Sequence, residues 1–212
     1  MIKQLVFIKR KPGVELEEFR DEATRRATAM ADESGAGLAV LHVTHDTGYR
    51  AHEPSYDAVL ELCFAVEHHG VDVGTFDDIA SAGMLAVREV VIVDGPAAPG
   101  AVTMFAFLNR LPSTEPSAFQ AYWRDHHGPI AGKVPGLRRY VQNHALSSNY
   151  AGGREPAYDG IPQTWFDDVE AMRASGGSDE LAETRADELN FMVSGRLPFV
   201  VCTPVALREA TA

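Results

Sequence analysis

Apolar and polar residues along the chain set out one order of elements twice: strand, helix, strand, strand, helix, strand. The second pass reads most clearly. VTMFAFLN alternates as a first strand, and PSAFQAYWRDHH has helical spacing, with Pro116 at its first turn. At about 100° per residue, Phe119, Trp123, His126 and Ile130 share one helical face, with Tyr122 and His127 flanking it. Gly128-Pro129 is expected to interrupt that helix, since proline has no N–H for the carbonyl four residues back. LRRYVQNHAL is then a strand with Tyr140, Gln142 and His144 on one face and Val141, Asn143 and Ala145 on the other. AYDGIPQTWF is a third strand, bent at Gly160 and Pro162. FDDVEAMRAS and DELAETRADELNFMV give helical turns, and LPFVVCTPV closes the sheet. This order predicts an α+β fold of antiparallel strands with helices on one side.

The pattern repeats because the sequence does. Phe7, Arg10, Pro12, Glu15 and Phe19 recur 100 residues on as Phe107, Arg110, Pro112, Glu115 and Phe119. His45 is matched with His144, Tyr56-Asp57 with Tyr158-Asp159, and Phe64 with Phe166. Two copies are too few for a solenoid and suit a pseudo-dimer within one chain. The copies are placed at residues 1–96 and 101–207, joined by the turn-rich DGPAAPGA.

Charge and composition narrow the partners. The 212 residues are 45% hydrophobic and 23% charged, the balance of a globular protein, and the net charge is −11. An acidic chain without a basic block is a poor binder of nucleic acid or anionic membrane. No apolar run is long enough for a membrane span, and the opening MIKQLVFIKRKPG is too short for a signal-peptide core. Cys63 and Cys202 each sit in an apolar stretch and read as buried free thiols. A reducing cytoplasm is the expected compartment.

Two strings carry a family resemblance. FQAYWRDHHGPIAGKVPGLRRYVQNHAL, residues 119–146, and YDGIPQTWFDDVEAM, residues 158–172, are similar to the EthD family. Its pattern runs Phe, Tyr-Trp, His-x-Pro, Pro-Gly-Leu-x-x-Tyr, then Tyr-Asp-Gly-Ile and Trp-Phe-Asp. The first copy keeps FIKRKPG, EEFR and YDAVLELCF and lacks the His-x-Pro. The resemblance implies two tandem ferredoxin-like βαββαβ units whose sheets pair into a pseudo-dimeric α/β barrel, as a monomer or a homodimer. It also implies chemistry on a small aromatic, polyketide-like or lactone compound without a cofactor. Dehydration, cyclisation or isomerisation is the leading class; a cofactor-free oxygenase and a non-catalytic binding protein are the alternatives.

The resemblance makes His127, the histidine of His-x-Pro, the expected proton carrier. His126 lies nearer the centre of the apolar face and reads as a core histidine. His144 is a second catalytic candidate; Tyr140, Gln163, Trp165, Trp123 and Asp159 are candidate substrate contacts. The repetition of Tyr-Asp also allows Asp159 a turn or strand-entry role. The family usually places a glutamate where this chain has Gln163, whereas the first copy has Glu61 there but Arg26-Ala27 in place of His126-His127. Asp125 or Asp159 is then the substitute carboxylate, and the working pocket is expected in the second copy. No phosphate loop, nucleophile elbow or catalytic cysteine context occurs, and Gly35-Ala36-Gly37 does not open a helix. A metal on His126, His127 and His144, or on the adjacent His68-His69, is disfavoured, because neighbouring side chains diverge.

Overall fold

The computed structural model describes residues 1–50, 52–67, 71–193 and 197–209. The chain packs as two units, residues 1–88 with 200–212, and residues 89–199. The linear repeats, 1–96 and 101–207, differ from these units at their ends, because residues 89–96 fall in the second unit and residues from 200 onward in the first. Within each unit the paired strands run antiparallel.

The first unit contains β1 (Ile2–Arg10), α1 (Leu16–Ser34), β2 (Leu38–Thr44), β3 (Ala58–Phe64), the first part of β4 (Ala80–Val93) and most of β8, which spans Phe199–Arg208. β1 lies between β3 and β4, and β2 lies between β3 and β8. α1 buries Phe19, Ala23, Ala27, Met30 and Ala31, a single stripe at helical spacing. Its three alanines let the helix approach Val6, Ile8, Leu41, Leu60 and Leu62 of the sheet. α1 ends at Gly35, whose φ of 71° is the left-handed conformation that glycine adopts without a Cβ clash. The second helix expected in this copy is replaced by a single 3-10 turn, Val73–Phe76.

The second unit contains β5 (Val102–Ala106), α2 (Pro116–Tyr122), a π-helical turn (Trp123–His127), α3 (Gly128–Ala131), β6 (Leu137–Ala145), β7 (Gly160–Phe166), α4 (Val169–Ser175) and α5 (Asp179–Glu188). β7 is the middle strand between β5 and β6. Asp168 and Ser178 cap α4 and α5 through Ala171 N and Leu181 N. Helix resumes after Gly128 instead of ending there. The π turn bonds Gly128 N–H to the Trp123 carbonyl five residues back, so the missing Pro129 N–H falls where the ladder is already interrupted.

The repeated aspartates hold equivalent corners. Asp57 accepts from the Arg10 backbone N–H at 2.9 Å and from the Tyr49 hydroxyl at 2.6 Å. Asp159 accepts from Arg110 N–H at 2.9 Å and from the Tyr150 hydroxyl at 2.6 Å, and it pairs with the Arg110 guanidinium. These bonds tie a strand exit to the loop before the third strand, so Asp159 is a structural carboxylate. They also correct the repeat register. Thr44 N–H bonds Asp57 O and Ala145 N–H bonds Asp159 O, so His144 corresponds to Val43, not to His45. His45 corresponds to Leu146 and caps a 3-10 turn by accepting from Thr47 N–H at 3.2 Å.

Trp123 lies flat against β7 at Gly160. A Cβ on Gly160 would stand 2.4 Å from Trp123 Cζ3, a separation that no repacking of a fully buried indole relieves cheaply. Gly160→Ala is expected to destabilise the protein by about 1–3 kcal/mol, the usual cost of overpacking, measured by urea unfolding.

Candidate active site

The second unit encloses a cavity of about 650 Å³ between its sheet and its helices. The strands line it by alternation. Met104 and Ala106 of β5, Tyr140 of β6, and Pro162, Thr164 and Phe166 of β7 point into it. The intervening residues point to the opposite face of the sheet. The helices supply Trp123, His127, Met172, Leu181, Arg185 and Glu188. Most of this surface is apolar, with a few polar groups, the usual make-up of a small-molecule site.

The π turn decides which histidine enters. With one extra residue in the turn, His127 comes round to the buried face of Phe119 and Trp123, while the His126 side chain is 61% exposed. The expectation that His126 is a core histidine is therefore corrected. His127 Nδ1 lies 2.8 Å from Asp187 Oδ2 on α5, and among the described residues its Nε2 has no hydrogen-bond partner. Asp187 also accepts from the Tyr122 hydroxyl at 2.7 Å and from Asn190 Nδ2 at 3.2 Å, and His126 Nε2 stands 3.6 Å away. Burial alone would raise the Asp187 pKa, but the bonds from Tyr122, His127 and Asn190 outweigh it and hold the carboxylate ionised below its usual range. For His127, burial is the largest influence and lowers the pKa, and Asp187 recovers only part of that loss. Near neutral pH the imidazole is uncharged, Nδ1–H is donated to Asp187, and Nε2 is left as an acceptor at the cavity wall.

Asp187 and Glu188 escape a reading of the sequence alone, because nothing in ADELN distinguishes them from the other acids of an exposed helix. Burial raises the Glu188 pKa, and among the described residues no hydrogen bond or ion pair holds its carboxylate, which lies near enough to Tyr140 to raise that phenol further. The missing family glutamate is thus no deficit beside His127. Gln163 faces away from the cavity, fully buried, with its Oε1 3.3 Å from Asn143 Nδ2. Asp125 is exposed and paired with Arg124.

The other candidates divide. Tyr140 and Trp123 line the cavity with His127. Trp165 does not; it alternates to the other face of β7 and sits under the Arg139 guanidinium. His144 does not line it either. Its ring packs on Trp123 with centroids 4.6 Å apart, and its Nε2 lies 2.9 Å from Gln142 Oε1. His68 and His69 lie outside the described residues, and among the described residues no three His, Cys, Asp or Glu side chains converge to hold a metal.

Residues 111–195 match the EthD domain family. No curated protein matches the sequence. Among solved structures, an anthrone oxidase-like protein aligns over 100% of this chain and 94% of its own, with TM-score 0.61 and 18% identity. A Lactobacillus acidophilus NCFM protein whose name proposes a monooxygenase aligns over 99% and 95%, with TM-score 0.54 and 15% identity. A mutant chlorite dismutase from Candidatus Nitrospira defluvii aligns over 97% and 91%, with TM-score 0.52 and 9% identity. At these identities the likeness is one of fold, and the EthD region contains the whole His127–Asp187 pair. Among the described residues no helix is long and apolar enough to cross a membrane.

His144 gives this site a pH signature. Burial first, and the nearby Arg124 second, lower its pKa to about 4. Below pH 6.5 the unfolded chain takes up a proton that the folded protein refuses until about pH 4, so stability declines across that window as the pH falls. At about 1.4 kcal/mol per pH unit, the loss approaches ~3 kcal/mol. Urea unfolding at pH 7 and pH 4 should show this extra loss in the wild type and not in His144→Gln, which keeps a donor and cannot titrate.

Proposed function

We propose that the EthD-bearing unit is a cofactor-independent enzyme of the lyase or isomerase type. Its substrate would be a small aromatic, polyketide-like or lactone compound undergoing dehydration, cyclisation or isomerisation. One observation carries the reading: a buried, neutral imidazole is backed by an ionised carboxylate and presents a free Nε2 to an apolar cavity of about 650 Å³. That is the arrangement of a general base. His127 Nε2 takes a proton from a carbon beside a carbonyl, leaving an enolate, and Asp187 neutralises the imidazolium that forms. In isomerisation the proton returns to another carbon of the conjugated system. In dehydration it leaves with the substrate hydroxyl as water. The low-dielectric walls strengthen the Asp187 interaction and keep competing water away from the enolate.

A second reading has support in two names, the anthrone oxidase-like protein and the Lactobacillus acidophilus NCFM protein whose name proposes a monooxygenase. There the same base forms the same carbanion, and dioxygen intercepts it. Oxygen uptake during turnover separates the two readings, and tight binding without any product would mark a carrier.

His127→Ala is expected to lower kcat/KM by about 10²–10⁴-fold while retaining the fold. Asp187→Asn should lower it as well and shift the acid limb of the pH–rate profile to lower pH, because the carboxylate is what holds the His127 pKa up. Full turnover in His127→Ala would overturn the proposal.

A further inference from the structure

The Tyr140 hydroxyl is a buried group with half of its hydrogen bonding unmet. The residue is 2% exposed, lines the cavity, and accepts from Gln142 Nε2 at 3.1 Å, but among the described residues none receives its proton. Leaving a buried donor without an acceptor is costly, and such groups mark places where something else completes the bond.

The surrounding bonds fix where that proton points. The Trp123 carbonyl can only accept, and Gln142 Nε2 lies 2.7 Å from it, so the amide nitrogen of Gln142 must face Trp123 and Tyr140. The amide oxygen then faces His144, whose Nε2 must carry the hydrogen. Donation therefore runs one way, from His144 to Gln142 to Tyr140. The Trp123 indole N–H lies beside the same hydroxyl, outside bonding geometry and without a partner of its own. With donors on these sides, and with Tyr140 lining the cavity, the cavity is where an acceptor for the Tyr140 proton can be supplied. Burial keeps the phenol protonated.

We propose that Tyr140 is the oxygen-recognising residue of this site, and that its ligands are uncharged, flat aromatic compounds bearing a phenolic or enolisable carbonyl oxygen. His144 and Gln142 are positioning residues that hold the Tyr140 proton toward the ligand. The walls around it, Met104, Phe166, Met172 and Leu181, accept an apolar body. The unpartnered Thr164 Oγ1 is a second polar point among them. The donor role of Tyr140 stands on its own bonds, whereas the enolisable class rests on His127 acting as base.

Binding of 2-naphthol and of 2-methylnaphthalene, similar in shape and differing in the oxygen, tests this by titration calorimetry. Wild type should prefer 2-naphthol by about tenfold, the ratio that one hydrogen bond supplies. Tyr140→Phe should erase that preference with little change in affinity for the hydrocarbon. Gln142→Glu should erase it too, since a carboxylate there accepts the Tyr140 proton and turns it from the cavity. A wild-type protein without the preference, or a Tyr140→Phe variant that keeps it, overturns the proposal. The readout is binding, so a chain that turns over no substrate would count against His127 as base and not against Tyr140.

Discussion

The second unit is organised around the seating of Trp123 on Gly160. With no Cβ in the way, the indole lies on β7, fully buried, and becomes the partition on which the polar groups are arranged. His144 stacks on one side of it, Phe119 packs against another, and its carbonyl takes the Gln142 amide. Gly128, one residue beyond the π turn, allows that close approach; a Cβ there would stand 3.1 Å from Gln142 Nε2. The π turn follows from the same seating, since Trp123 and His127 must both face inward across a segment that ends in Gly-Pro. Each local irregularity of sequence thus serves a single packing arrangement.

The electrostatics follow from burial acting on unequal groups. Desolvation disfavours the charged forms of four side chains in and beside the cavity, lowering His127 and His144 and raising Glu188 and Tyr140. Asp187 is the exception, because three donors converge on it. One firm negative charge beside a neutral imidazole makes a base that works near neutral pH, and it stabilises the imidazolium only once the proton has moved.

The two units meet a buried polar position in different ways. In the first, Lys3, His42 and Glu61 form a buried charged cluster, with Lys3 Nζ 2.9 Å and His42 Nε2 3.2 Å from the carboxylate. By strand register the matching positions of the second unit are Thr103, Asn143 and Gln163, all uncharged. Glu61 is held well below the usual carboxylate range, burial pushing it up and Lys3 and His42 more than compensating. The carboxylate of the family pattern thus belongs, in the first unit, to a buried cluster with Lys3 and His42. Removing either partner there would strand a charge in the core, a costly change.

The alternation of β6, the repeat and the EthD strings were legible in the residues, because strand period, helix period and an ordered run of uncommon residues are local properties. They placed Tyr140, Gln142 and His144 on one face and singled out His127. The sequence did not show the π turn, since one extra residue in a turn leaves no mark on a helical pattern until its packing partner is known; hence His126 and His127 exchanged places. It also did not show that Asp187, sixty residues on, completes the pair with His127, or that Gln163, Trp165 and Asp159 fall away from the cavity. Which face of a strand holds a cavity, and which acid of a helix meets a histidine, depend on how helix and sheet stack. That is a matter of contacts between distant segments, and only the tertiary structure decided it.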